Sequence, residues 1–471
     1  YTLAGGAIDG TSAGTVVVTD VDMATTAGDT ATADRIEIAY DVAPTVAADQ
    51  TVTLAGSIDT TLAQLALTTA AGEAVAVAGG TVGVGDLALT KSAELRAPAP
   101  AADDAPAAAG GPTPGLLEAL AQALIQLGQE VLRHNLEGSL TPTVALDGVR
   151  LEAAGRSVAL GEVAFEAPGL EARGVGDTWS LTTPLGLQVA DIRLDGPQTA
   201  TIAGTELAVA ALAAETDLDE ARITFDLRLD VADARLTGPD ELETGLASLG
   251  VATDAFEITG WPGRGRARGA VAVDAGGIQA SLAAGDGPAR VELDELQVAL
   301  APLAVDDTGA LALSATGRVD AAGLRAAVEG AAPLTLTLAS AGADIAEASL
   351  TPDAQKVAGD LSFAELQAEM ASEPAQRVTV ARIDVAGVVA DPADVIAAER
   401  ITIAGLDAEV ALALMGAGAA ADAGAADAAA GDGGGDGGGG GGASAAPPPL
   451  RLGALVVEDG SRVRVIDQSA G

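Results

Sequence analysis

The side chains that could do chemistry in this 471-residue chain are nearly all carboxylates: 67 acidic residues stand against 24 basic ones, with one histidine and no cysteine. Two carboxylates flanking a sugar can hydrolyse it. Asp217, Asp219 and Glu220, or Asp306 and Asp307, supply such neighbours. At this density acidic pairs arise by chance, and aromatic residues, the usual platforms of a sugar cleft, make up only 2% of the chain. His134 lacks the second His or the Cys that a metal site or a nucleophile–base pair would need. Zero cysteines remove disulfides, thiolate metal sites and Cys nucleophiles together. Walker loops, dinucleotide fingerprints, nucleophile elbows and HExxH helices are also missing. The Gly431 to Gly442 tract, broken by Asp432 and Asp436, lacks the nonapeptide order of calcium repeats. The chain is therefore expected to be no enzyme and to hold no cofactor or metal.

Basic residues gather once, at Trp261-Pro262-Gly263-Arg264-Gly265-Arg266-Ala267-Arg268. Arg264, Arg266 and Arg268 are equipped to meet an anionic headgroup through bidentate hydrogen bonds; an exposed hairpin loop accounts for the same residues. A net charge of -43 excludes nucleic acid as a partner, because a field of this sign repels phosphates.

What must position any site is a β-meander. One six-residue spacing recurs: an apolar residue, two others, then two apolar residues around a polar one. It stands at Leu146 to Leu151, Ala33 to Ile38, Leu160 to Phe165, Val189 to Leu194, Leu293 to Val298, Val380 to Val385, Ile403 to Ala408 and Leu452 to Val457. Alternation puts apolar side chains on one face of a strand, and the extra residue would flip every later one to the other face. A chain that keeps one apolar face must absorb that residue as a β-bulge or a corner. The expected fold class is all-β dominated: a long antiparallel meander curled into an elongated groove, apolar on its concave face, with one amphipathic helix.

Along the chain this gives an N-terminal β segment over 1–96, a Pro/Ala linker over 97–114, the amphipathic helix over 115–138 and the main meander over 139–415. An Ala/Gly/Pro low-complexity linker follows over 416–449, and a last β segment over 450–471. Short strands are expected at Thr15 to Val18, Arg35 to Tyr40, Thr51 to Leu54, Leu62 to Leu67 and Val75 to Val77. The helix rests on Leu117, Leu120, Leu124, Leu127 and Val131 at steps of three and four. Helical turns are expected near Glu241 to Gly250 and Phe363 to Ser372. The clearest strand is Arg222 to Val231, where Ile223, Phe225, Leu227, Leu229 and Val231 face one way. These five are the candidate groove residues. Few aromatics and many small aliphatics suit a broad apolar surface better than a compact core.

The stretch Leu450-Arg451-Leu452-Gly453-Ala454-Leu455-Val456-Val457-Glu458-Asp459-Gly460-Ser461-Arg462-Val463-Arg464-Val465-Ile466-Asp467-Gln468-Ser469 resembles the DUF748 family of AsmA-like proteins. There a proline-ended linker leads to an apolar strand with Leu-Gly, a Gly turn, a second strand with Val-x-Val, and an Asp. This chain carries Val465 and Ile466 where the family often has Phe. The resemblance implies a fragment of a longer bacterial envelope protein, anchored in the inner membrane by a segment outside this chain, with a β-groove in the periplasm. It further implies that acyl chains of lipids, phospholipids foremost, pass along the groove in lipid transfer or outer-membrane biogenesis, without catalysis. A secreted acidic β-repeat protein, such as a surface-layer or adhesin module, is the alternative that the residues alone leave open.

Overall fold

The computed structural model describes every residue except 1, 5–6, 27, 50, 92–135, 154, 176–177, 217–220, 240–241, 262–264, 285–286, 308–310, 331–332, 353, 372–374, 392–394, 413–449 and 468–471. The described residues form one 23-stranded sheet. Its first strands are β1 (Thr2–Ala4), β2 (Ala7–Asp9), β3 (Ser12–Ala24), β4 (Thr30–Val46), β5 (Val52–Thr68) and β6 (Ala74–Lys91). Then come β7 (Leu136–Ala153), β8 (Arg156–Glu166), β9 (Leu170–Val175), β10 (Thr178–Asp195), β11 (Thr199–Thr216), β12 (Ala221–Phe225) and β13 (Leu227–Thr237). The meander continues through β14 (Glu243–Trp261), β15 (Arg266–Ala284), β16 (Gly287–Asp306), β17 (Ala312–Val328) and β18 (Leu334–Leu350). It ends with β19 (Gln355–Met370), β20 (Gln376–Asp391), β21 (Val395–Leu412), β22 (Leu450–Val457) and β23 (Arg462–Asp467).

Sheet neighbours follow chain order, and pairing is antiparallel from β3 to β21. β8 and β9 lie in line between β7 and β10, as β12 and β13 do between β11 and β14. The last rank departs from the rule: β22 and β23 run parallel to β21. A parallel neighbour needs a long return connection, and residues 413–449 connect the two.

The six-residue spacing is realised as a line of bulges crossing the whole meander. Asp20, Gln64, Gly148, Asp191, Asp233, Gly277, Gly323, Glu365 and Gly405 have φ between 46° and 69°. Each stands opposite one residue of the intervening strand: Asp34, Ala78, Gly161, Ala203, Ala247, Asp294, Ala339 or Ala381. Facing strands both carry the extra residue, so the register is the same on either side of the line. Leu146 and Val149 therefore both point inward while Asp147, Gly148 and Arg150 are exposed. The Leu452 to Val457 copy differs in that its pairing with Ala398 to Ile403 skips one pair, Glu399 and Gly453, with no positive φ at either.

A second line shifts the register, for example between Gly85 and Ala88, Asp254 and Glu257, Leu300 and Leu303, and Ile345 and Glu347. Bulges bend and twist the strands that carry them.

Several expectations change. The helix expected over 115–138 lies outside the described residues up to 135. Its last three residues, Leu136, Glu137 and Gly138, open β7 instead, paired to Lys91, Thr90 and Leu89. Ladder hydrogen bonds outweigh local helix propensity there. The same competition turns the helical turns expected at 241–250 and 363–372 into strand, in β14 and β19. The short N-terminal strands are really long ones. The segments expected at Thr51 to Leu54 and Leu62 to Leu67 are, from Val52 on, parts of one strand, β5, whose alternation is broken by Gly56 at a bulge. The strand expected at Arg222 to Val231 is interrupted at Asp226. Pairing of β6 with β7 carries the sheet through the boundary expected near residue 96. The 97–114 and 416–449 linkers and His134 fall outside the described residues. No described helix is long and apolar enough to cross a membrane.

Candidate functional site: an apolar face and its polar reverse

Register places the candidate groove residues in rows that cross the sheet. Val16 on β3 faces Ile38, which faces Thr60, and the row proceeds through Val82, Val144, Phe165 and Leu187. It continues through Leu207, Leu229, Val251, Val273, Val298 and Val319. Ala343, Leu361, Val385, Ile401 and Leu455 complete it. A parallel row two residues along holds Val18, Ile36, Leu62, Leu146, Val163, Val189, Val231, Leu249, Leu296, Phe363, Ile383, Ile403 and Val457. Beyond the first bulge line a third row includes Val77, Val149, Leu160, Ile192, Ile202, Leu246, Leu338, Leu366, Val380 and Leu406.

These side chains are mostly half-buried. Leu229, Val251, Val273, Val298, Val319, Leu361 and Val385 all keep contact with solvent. A second sheet packed over this face would bury them fully. Single buried residues such as Ala33, Val77, Val149, Ala275 and Val380 are spread along the sheet, while buried side chains pack into a cluster at Trp179, Leu181, Ala214, Ile223 and Ile258, against which Phe225 and Phe256 pack with ring centroids 5.3 Å apart. Of the five candidate residues, Ile223 thus belongs to the buried cluster and Phe225 packs against it, Leu229 and Val231 stand in the rows, and half-buried Leu227 lies opposite Val209. Trp179 Nε1 is buried there without a hydrogen-bond partner among the described residues.

One residue away, on the reverse face, the row reads Glu37, Thr61, Thr81, then Gln188, Glu206, Asp230, Gly250, Asp274, Gln297, Asp320, Gly342, Ser362, Asp384 and Thr402. Arginines sit two residues from its acids on the same strands. Arg228 Nε lies 2.7 Å from Asp230, Arg318 Nε 2.6 Å from Asp320 and Arg382 Nε 2.8 Å from Asp384. Hydrogen bonding from Arg318 holds the Asp320 carboxyl below the usual carboxylate range. The same bonds, to Asp230 and Asp320, raise the Arg228 and Arg318 guanidiniums above their ordinary value.

The reverse face also bears a depression of about 760 Å³, where small residues at Gly204, Ala232, Ser248 and Gly250 lie among Gln188, Glu206, Arg228, Asp230 and Asp274. It contains no nucleophile–base pair. Among the described residues no group of three or more His, Cys, Asp or Glu is placed to hold a metal. Asp306 meets Arg266 at 3.1 Å instead of forming a carboxylate pair with Asp307, and Asp217, Asp219 and Glu220 lie outside the described residues. Arg266 and Arg268 open β15 on the acidic side, Arg268 opposite Glu257, and Arg264 is not among the described residues.

Row members such as Leu187, Leu207, Val251 and Leu361 stand outside the copies of the recurring spacing, although that spacing marks where the rows must pass. No family model matches the chain, and comparison with curated proteins and with solved structures yields no match either.

Proposed function

We propose that this chain is a non-catalytic, AsmA-like envelope protein whose apolar face beds the acyl chains of phospholipids. In this reading the two bulge lines bend the sheet toward that face and make it the floor of an elongated trough. The single observation that carries the reading is the lateral run of apolar, mostly half-buried residues from Val16 to Leu455. Acyl chains laid on such a run leave water at about 25 cal/mol per Å² of apolar surface. Thr60 is its one polar interruption. The acidic reverse keeps a long apolar face soluble. The work assigned to the protein is lipid transfer, or outer-membrane biogenesis, across the bacterial periplasm, with inner-membrane attachment through a segment outside this chain.

Photocrosslinkers tell the faces apart. Installed at Leu229 in cells, one should capture phospholipid, while one at Arg228 should not. Equal capture at both, or none at either in a folded protein, would remove the reading.

A further inference from the structure

The buried cluster around Trp179 lies on the apolar face, beyond the second line of register shifts, which crosses β10 between Thr183 and Leu185. Among the described residues Trp179 is the largest side chain to be buried so completely, at 1% exposed. A single layer of sheet does not bury an indole in this way. Its row offers Gly174 on one side and Thr216, then Ala221, on the other, all residues too short to do so. The partly buried residues packed against the cluster, Leu170, Ala172, Leu212, Phe225, Phe256 and Ala267, are themselves members of the sheet. The layer that lies on Trp179 therefore comes from outside the described strands.

One part of the chain enters at the right place and has the right length. β6 ends at Lys91 and β7 begins at Leu136, and these two residues stand opposite each other, so residues 92–135 leave and re-enter the sheet at one point. That point is two ranks from the cluster: Gly138 faces Ala172, and Ala172 faces Leu181. The amphipathic pattern read there sets Leu117, Leu120, Leu124, Leu127 and Val131 along one side of a helix. From Leu117 to Val131 such a helix runs about 21 Å. The cluster with its flank, from Ala172 on β9 to Ile258 on β14, crosses four strand spacings, about 19 Å. The 92–115 stretch can span about 80 Å, ample to lead out across the cluster before the helix returns. The undescribed turns nearest the cluster, 176–177, 217–220 and 262–264, hold only Leu218 and Pro262 as apolar residues.

We propose that the 116–131 stretch packs as a helix across this margin of the apolar face, its leucine side down on Trp179, Leu181, Ile223 and Ile258. Glu118, Gln122, Gln126 and Gln129 then face water. The rows through Leu229 and Val251 lie on the other side of the register shift and keep their contact with solvent. The packing rests on the cluster and on the point of entry, and it stands even if the rows take no lipid.

The whole chain serves for the test. With Trp261→Phe as background, the emission of Trp179 reports the packing. Leu120→Asp together with Leu124→Asp should shift that emission to the red and raise acrylamide quenching several-fold while the sheet still melts cooperatively; Gln122→Asp, on the polar side, should do neither. Because the chain has no cysteine, introduced ones report contact without background and leave the leucines in place. Val131→Cys with Ala172→Cys, mildly oxidised, should form a disulfide within one chain, and Gln129→Cys with Ala172→Cys should not. An unshifted Trp179 in a folded Leu120→Asp, Leu124→Asp chain would overturn the proposal, as would equal crosslinking from positions 131 and 129. So would a red shift on simple dilution of the background chain, which would mean that a second copy lies on the cluster.

Discussion

Leu229 and Val251 oppose each other across β13 and β14, and the very next pair, Asp230 with Gly250, opens on the other face. The sheet thus changes from aliphatic to acidic across its own thickness. A charge placed at Leu229 enters an open surface and not a sealed core. Leu229→Arg is expected to destabilise by no more than about 1 kcal/mol, the centre of the distribution for single substitutions and well short of the values seen when a charge enters a sealed core. The proposed lipid function predicts that retention of a fluorescent phospholipid falls about tenfold in this variant, near 1.4 kcal/mol. Loss of the fold on thermal melting would show that the face is covered.

Gly323 has φ 69°, and a Cβ built there would come 2.0 Å from Asp294 Oδ2 on the facing strand. The left-handed conformation alone costs an L-residue about 1–2 kcal/mol. Gly323→Ala should destabilise by at least that amount in urea denaturation. The converse holds at Gln64, a non-glycine residue at φ 52° in the same line, where Gln64→Gly should stabilise by up to about 1 kcal/mol.

Trp179 fills the closed cluster but leaves its indole N–H unpaired among the described residues. An unsatisfied buried donor costs about 1–3 kcal/mol. Trp179→Phe removes it and should leave stability almost unchanged despite the lost ring volume. Trp179→Ala should cost about 3–5 kcal/mol. Comparison of the two melting curves decides between them.

The parallel last rank sets a minimum length for its connection. From Leu412 at the end of β21 to Leu450, which pairs with Ile396 near its start, the chain must return about 50 Å at 3.3 Å per residue. That takes roughly 15 extended residues. Trimming residues 413–449 to about twenty should leave the melting temperature unchanged. Cutting to a handful should release β22 and β23, seen as loss of amide-exchange protection there and not in β20.

Asp320 should titrate below ordinary carboxylates, and Arg318→Gln should raise its pKa toward them in an NMR titration. A depressed folded-state value stabilises above the unfolded value, about 3.9. That contribution is lost as pH falls through the folded value. The pair is exposed, so the pKa is the sensitive readout and acid stability should change little.

The recurring spacing made the first bulge line legible, since Gly148, Asp191 and Gly405 are its inserted residues. Strand lengths were not legible. A reader following alternation stops wherever it breaks, at Gly56 or Asp226, although the ladder continues past both. Ala, Glu, Leu and Met favour helix locally, and that composition disguised β14 and β19 until cross-strand pairing was visible. The lateral rows were illegible for a related reason: they join residues far apart in sequence, and only register aligns Val144 with Phe165 and Leu187. Of the helix read over 115–138, residues 136–138 are strand and the part over 115–135 stays an expectation.

Because each strand pairs only with the ranks on either side, the meander behaves as a linear array in which every rank is stabilised by its nearest neighbours. Heat or pulling force applied to such an array has a direction. Opening should start where a strand is paired on one side only, as β3, β22 and β23 are among the described residues, and travel inward rank by rank. The ranks around Trp179 would then be the last to part, and the middle of the chain would outlive both of its ends.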